Sequence, residues 1–577
     1  MRVLKVTTGL IACLALGASA AAVADDDGFP HEGIQHVLLV SIDGMHVVDF
    51  LNCSKGLSTI NGGAPYCPHL AALKANGVIY LDTSTSKPSD SFRGLMSMMT
   101  GGSPRTMGVY YDVSYDRALA PPAVTTGNGL AAGTCTPGVF NGTSTEYEEG
   151  IDKNQNFLNG VGATGADGGL ASIDPSRLVR DPANGCAPVY PWNFIRINTI
   201  FGVIHNAGGY TAWSDKHPAY GSVSGPTVHA APNVAENLDD FYAPEINSIP
   251  VALPLAGCSP ADDPNFAVLS AYTDSFAFIR CYDTLKVNGV LNQIDGFTHN
   301  HSARARVPTI FGMNFQAVSV GQKLIEPGVG SGGYLDGTGT PSALLLSEIQ
   351  YVDESIGKFV AAIHQQGLAG STLIIITAKH GQSPVDSARY TRITSSGPVT
   401  TSPSRIIDAC LPDSESNAGN QIGPTEDDVS LLWLKSGCTA ASQAALLEST
   451  SPASNNIGGI GQIFWGRGIT QMFNAPGLAP KDSRTPDILV TPNVGVTYSK
   501  STAKQAEHGG FAHDDVNVML LVSNSHLEAK TVTSPVETMQ VAPTILQALG
   551  LPPSRLDGVR LEGTSVLPGL PFSEDAR

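Results

Sequence analysis

The chain has 577 residues, 33 of them basic and 51 acidic, for a formal charge of −18, and only 15% of its residues are charged. An apolar share of 42% is ample for a packed core and excludes a disordered chain. The acidic balance (pI near 5.1) excludes a general binder of nucleic-acid polymers or anionic membrane, because like charge repels both. Length allows roughly two to four domains, or one large α/β domain with long insertions.

In chain order, the first feature is a targeting segment. Arg2 and Lys5 form a positive start, residues 6–24 carry no charge, and Ala22-Val23-Ala24 is a small-residue cleavage site before Asp25. Leu10-Ile11-Ala12-Cys13 is a rival lipoprotein-processing site, but its apolar stretch is short, so simple cleavage of residues 1–24 ranks higher. Nothing later offers the ~18–20 uninterrupted apolar residues of a membrane span. The expectation is a soluble, exported protein, secreted or periplasmic, with no membrane span. Beyond Cys13 stand Cys53, Cys67, Cys135, Cys186, Cys258, Cys281, Cys410 and Cys438. An even number in an exported chain argues for disulfides, and sequential pairing would give short loops. No Cys-x-x-Cys spacing supports a thiolate zinc site.

His36–Ile42 is a continuous apolar run, as a strand buried on both faces of a parallel sheet requires. A helix follows over Pro68–Asn76, a short strand near Val78–Leu81, and helices over Ser91–Thr100 and Trp192–Ala207. Tyr210–Trp213 reads as a strand, Leu344–Gln366 as a strong amphipathic helix, and Thr372–Thr377 as the clearest strand in the chain. Val516–Val522 is a strand and Met539–Leu549 a helix ended by Gly550. Such alternation predicts an α/β fold: a doubly wound, mostly parallel sheet flanked by helices. Residues 25–577 then form one catalytic domain, with glycine- and proline-rich insertions near 113–190, 218–265, 323–342 and 395–425 as loops and capping segments.

Four polar clusters sit where apolar runs end, the place where open α/β sheets bind ligands. Asp43-Gly44 follows the first strand; a turn is the plain explanation and a metal-binding carboxylate the other. Ser91 stands at the start of a helix, where it is either an ordinary cap or a nucleophile beside the positive end of the helix dipole. Lys379-His380-Gly381 ends the strongest strand, an uncommon setting for core residues. Glu507-His508-Gly509-Gly510-Phe511-Ala512-His513-Asp514-Asp515 gathers two imidazoles and three carboxylates in a glycine-rich loop, which is either solvated or metal-binding.

The order of these clusters resembles the alkaline phosphatase superfamily, most closely its type I phosphodiesterase/nucleotide pyrophosphatase branch. The resemblance runs through Asp43-Gly44, then Pro68-His69-Leu70-Ala71-Ala72-Leu73-Lys74-Ala75-Asn76-Gly77-Val78, then Ser91 ahead of Thr100-Gly101. It continues in Ser103-Pro104, Met107-Gly108-Val109 and Tyr115-Asp116, and later in His380-Gly381, His508-Gly509 and Val541–Gly550. It implies a metal-dependent hydrolase of phosphate esters, with phosphodiester or nucleotide-like small molecules favoured as substrates. It also implies a phosphoseryl intermediate on Ser91. The cofactor implied is a divalent metal, most plausibly zinc, as one or two ions. Asp43, Ser91, His380 and His508 would be its ligands, and each ion would activate the hydroxyl or the leaving oxygen.

Three departures qualify that set. Lys379 replaces the family's acid before the histidine. Phe311-Gly312-Met313-Asn314-Phe315-Gln316 stands where an acidic metal segment belongs, leaving Asn314 or Gln316 as neutral ligands. Asp112 replaces the Asn that holds a phosphoryl oxygen. One hypothesis links them: Lys379 supplies part of a missing metal's charge next to Ser91, with Asp112 as its partner. Lys216 and His217, after the Tyr210–Trp213 strand, are further candidates for lining the cleft. Two alternatives remain open. One is a sulfatase or phosphonate monoesterase, although the Cys-x-Pro-x-Arg signature is absent. The other is a non-catalytic binding protein with decayed metal sites.

Overall fold

The computed structural model describes residues 33–259, 261–262, 269–394, 401–416, 422–453, 458–473 and 482–571. The targeting segment 1–24 and Cys13 lie outside these residues. An eight-stranded sheet runs in the spatial order Lys530–Val532, Gly77–Tyr80, Leu521–Ser523, Thr372–Thr377, His36–Ile42, Ile310–Phe315, Ala212–Ser214 and Asp240–Tyr242. Leu521–Ser523 is antiparallel to both neighbours, and the other pairings are parallel.

The central strand shows why its sequence is apolar throughout. Alternate residues face opposite ways, so Leu38, Val40 and Ile42 enter one core with helices Phe276–Ile294 and Ala343–Gln365. Val37 and Leu39 enter a second core with helices Ser91–Thr100 and Val541–Ala548. The sheet is thus covered on both faces, the mixed α/β architecture expected.

Strands His36–Ile42 and Thr372–Thr377 and helix Ser91–Thr100 have the bounds expected from the sequence. Trp192–Ala207 is not one helix. Two short ones, Pro191–Phe194 and Ile200–His205, are separated where Thr199 caps the second by accepting from the Gly202 amide. Residues 513–516 of the loop before the last predicted strand form a helical turn, which shortens that strand to Leu521–Ser523. Helix Phe276–Ile294 and strand Ile310–Phe315 have no counterpart among the predicted elements. Segment 218–265 is not wholly loop, since Asp240–Tyr242 adds the edge strand. A separate four-stranded sheet joins Thr425–Glu426, Ser430–Leu432, Ile488–Pro492 and Ile460–Trp465. The cysteines pair in sequential order: Cys53–Cys67, Cys135–Cys186, Cys258–Cys281 and Cys410–Cys438.

Candidate active site

Parallel strands put their carboxyl ends on one edge of the sheet, and the chemistry collects there. Asp43 follows His36–Ile42, and Asn314 sits near the end of Ile310–Phe315. Asp215-Lys216-His217 follow Ala212–Ser214, and Lys379-His380 follow Thr372–Thr377. Helix Ser91–Thr100 starts over this edge. Asp90, not Ser91, is its cap, accepting from the Arg93 amide at 3.1 Å. Ser91 is therefore the first helical residue, and its fully buried hydroxyl is not spent on capping. Gly94 lets the helix approach, since a Cβ there would lie 2.1 Å from the Lys379 carbonyl oxygen.

Ser91 Oγ has two neighbours on opposite duties. His380 Nε2 lies 3.0 Å away. The other ring nitrogen, Nδ1, lies 2.7 Å from the Gly381 carbonyl oxygen, which only an N–H can satisfy. In the neutral ring Nε2 therefore carries the lone pair and accepts the serine proton. Lys216 Nζ donates to the same Oγ at 3.2 Å. Lys216 is also ion-paired with Glu148, which accepts from the Tyr220 hydroxyl at 2.6 Å. Burial opposes charge on both partners, yet the pairing prevails: the Lys216 ammonium is raised above its ordinary range, and Glu148 is brought down to about 2 by Lys216 and His217.

Lys379 does something else. Its ammonium is bound by both oxygens of Asp215, at 2.9 and 3.2 Å, and sits 4.0 Å from the centre of the Tyr220 ring. The expected Lys379–Asp112 pairing is not formed, because Asp215 takes the cation. Asp215 also accepts from the Trp213 indole at 3.0 Å and from the Lys216 amide at 2.9 Å. The cation on the Ser91 hydroxyl is Lys216, which the sequence offers only as a cleft-lining candidate. His217, its neighbour, is held by Glu245 at 2.8 Å.

The residues present do not fit the expected two-ion site. Asp43 Oδ2 accepts from the Gln316 amide at 2.6 Å and the Asn314 amide at 3.2 Å, so Asn314 presents nitrogen, not oxygen, toward this acid. His380 Nε2 is 3.6 Å from Asp43 Oδ2, and the His508 ring lies against that of His380, tilted by 32° with centroids 3.9 Å apart. Among the described residues, the group of His, Cys, Asp and Glu whose donor atoms all lie within 4.8 Å of one another is Asp90, Asp112 and Glu148. Asp43, His380 and His508 do not converge in this way. An acidic cluster thus stands beside Ser91, but the set Asp43, Ser91, His380, His508 and Asn314 does not form a two-ion cage.

Electrostatics agree with that division. Burial works against the Asp43 carboxylate, but Lys379 foremost, then His380 and Lys216, hold it well below the usual range. In the acidic cluster, burial and Glu148 raise Asp90 to about 6, and burial with Asp90 and Glu148 raises Asp112 well above the carboxylate range. Burial and His380 push the His508 imidazole down.

A cleft of about 350 Å³ opens over these groups, lined by Asp112, Glu148, Lys216, Gln316, Lys323 and His508 among others. A larger groove of about 820 Å³, at Arg117, Phe140 and Arg467, contains none of the residues around Ser91. Chemistry, not volume, identifies the former as the candidate site. Glu148 and Asp215 are the partners that sequence reasoning missed. Asp215 was within view, in the run Trp213-Ser214-Asp215-Lys216-His217.

A buried serine between a histidine and a lysine, over the carboxyl edge of a mostly parallel sheet, is an arrangement suited to an α/β enzyme that acts on an anionic ester. Residues 37–153 and 289–513, more than half of the chain, match the family model for type I phosphodiesterase / nucleotide pyrophosphatase, and the chain belongs to that family. It is a hydrolase acting on phosphate ester bonds. Among solved structures, murine ectonucleotide pyrophosphatase / phosphodiesterase 5 aligns over 90% of this chain and 95% of its own, with a TM-score of 0.50 at 13% identity. An inactive variant of that murine protein, in complex with AMP, aligns with the same figures. At this identity the likeness shows the fold. No curated protein matches the chain.

Proposed function

We propose that the protein is an exported hydrolase of phosphodiester or nucleotide-like substrates that works through a phosphoseryl intermediate on Ser91. The observation that carries this is the hydroxyl of Ser91, buried at a helix start and held between His380 Nε2 at 3.0 Å and Lys216 Nζ at 3.2 Å. A serine hydroxyl is a weak nucleophile until a base takes its proton. As Oγ bonds to phosphorus and the bond to the leaving oxygen breaks, the Oγ proton passes to His380 Nε2, and the leaving oxygen takes a proton from water in the cleft. The hydroxide so formed then attacks phosphorus, the Oγ–P bond breaks, and His380 returns the proton to Oγ. The AMP bound by the murine variant is consistent with a nucleotide-like substrate of this family.

The test is turnover of chromogenic phosphate diesters and monoesters by the wild type and Ser91→Ala. The expected result is at least a ~10³-fold loss in the variant, with a phosphorylated Ser91 peptide trapped at low pH from the wild type only. Turnover that survives Ser91→Ala would sink the mechanism. No turnover of any ester would favour the non-catalytic alternative.

A second reading keeps one divalent ion, zinc being the metal expected. Asp43 Oδ1 and His508 Nδ1 are buried without partners, and a cation would satisfy them. Retention of about one equivalent of metal and loss of turnover with chelators would support it. Export is supported by the four disulfides, which suit an oxidising compartment and a secreted or periplasmic protein. Mapping the amino terminus of the exported protein tests cleavage after Ala24.

A further inference from the structure

Building on Ser91 as the nucleophile, we infer that Lys216, clamped by Glu148, takes over at the serine oxygen the task that a metal ion performs elsewhere in the family, so that turnover needs no metal. Three observations converge on this.

The first is contact. Lys216 Nζ donates to the reacting atom itself, while Glu148 fixes the ammonium from behind and is fixed in turn by Tyr220. An ammonium in a water-poor site stabilises a developing alkoxide as a preorganised donor does. The second is support. The Lys216 amide is held by Asp215, and Asp215 is held by Lys379. The residue that replaces the family's metal-binding acid therefore positions the residue that replaces the metal's charge. Lys379 is a positioning residue; Lys216 is the catalytic one. The third is the donor set. Two amides donate to Asp43 Oδ2, and among the described residues Asp43, His380 and His508 do not bring their donor atoms together as one converging set, which leaves no cage for two ions there. The proton balance is unchanged: His380 takes the proton and Lys216 keeps all of its own.

The experiment uses the full chain with bis(4-nitrophenyl) phosphate as probe. The wild type is dialysed against a strong chelator, its metal content is measured, and zinc binding is followed by calorimetry. Lys216→Met and Lys216→Arg are compared for turnover, melting temperature and trapped phosphoserine. The expected result is less than about a tenth of an equivalent of metal and turnover within about twofold of the untreated enzyme. Lys216→Met should lose about 10²–10³-fold in kcat, the usual cost of one transition-state donor, and Lys216→Arg should recover part of it. Turnover abolished by chelator and restored by zinc would overturn the inference while leaving Ser91 as nucleophile. So would full activity in a folded Lys216→Met. Should no ester be turned over, tight binding of zinc that is lost in Asp43→Ala would overturn it independently, and absence of such binding would uphold the missing cage.

Discussion

Two buried polar clusters near the carboxyl edge of the sheet differ in what satisfies them. Around His46 the chain supplies most of the partners, with Asp49 Oδ1 and Gln322 Oε1 left without one. Nδ1 lies 2.9 Å from Asp49 and 3.0 Å from the Tyr334 hydroxyl, and Nε2 lies 2.9 Å from the Asp514 carbonyl oxygen. Gln322 donates to both Tyr334 and the Gly44 carbonyl, each at 2.7 Å. Around Ser91 the cleft is open. Atoms of Asp43, Asp90, Asn314 and His508 are buried without a partner, and one cation is shared between a carboxylate and the nucleophile. An orphaned buried polar atom costs about 1–3 kcal/mol. Those of Asp43, Asp90 and Asn314 are acceptor oxygens that a bound cation or donor group would satisfy, and several in one place beside a cleft mark a ligand site. A closed network of the same residue types is scaffold.

The sharpest way to break that contrast is to alter each kind of residue and ask whether turnover or stability responds. His380→Ala removes the proton acceptor, and kcat should fall about 10³-fold with the urea midpoint almost unmoved. A large loss of stability with kcat per folded molecule preserved would place His380 with the scaffold. Lys379 gives the opposite expectation from within the same site. Lys379→Met strands the fully buried Asp215 carboxylate, and breaking a buried pair in this way costs about 3–5 kcal/mol. Adding Asp215→Asn should return most of that loss in urea unfolding. If Lys379→Met alone were as stable as the wild type, the pair would not be the buttress described here.

Much of this contrast can be read in the sequence, and the part that cannot has definite causes. Strand His36–Ile42 is legible because burial on both faces demands an apolar residue at every position. The start at Ser91 is legible because Pro88 and Asp90 punctuate it. Helix Phe276–Ile294 is not, because it buries Asp283 and Lys286 along with its apolar residues and shows no clean stripe. Lys379 stands out through its adjacency to His380, yet its ammonium is taken by Asp215. The partners that decide the matter are far off in the chain. Glu148 lies in the glycine-rich segment 113–190, where no periodicity marks it, and Asp215 is 164 residues from Lys379.

The smallest expected effect concerns the closed cluster and pH. Burial pulls the His46 imidazole down, but Asp49, by charge and hydrogen bond, overrides it and raises the ring above its ordinary value. The folded protein therefore holds a proton that the unfolded chain releases near pH 6.5. This contribution is fully present below that pH. It declines as pH rises from there through the folded-state value, with a slope of at most about 1.4 kcal/mol per pH unit for one proton. Other buried acids slope the same way, so the useful quantity is the difference between the wild type and His46→Gln. That difference should be largest at pH 5–6 and shrink by pH 8 in urea unfolding, while kcat per folded molecule stays within about twofold. A difference that grows with pH would mean that His46 is neutral in the fold, and the closed network would then owe its stability to Tyr334 and Gln322 alone.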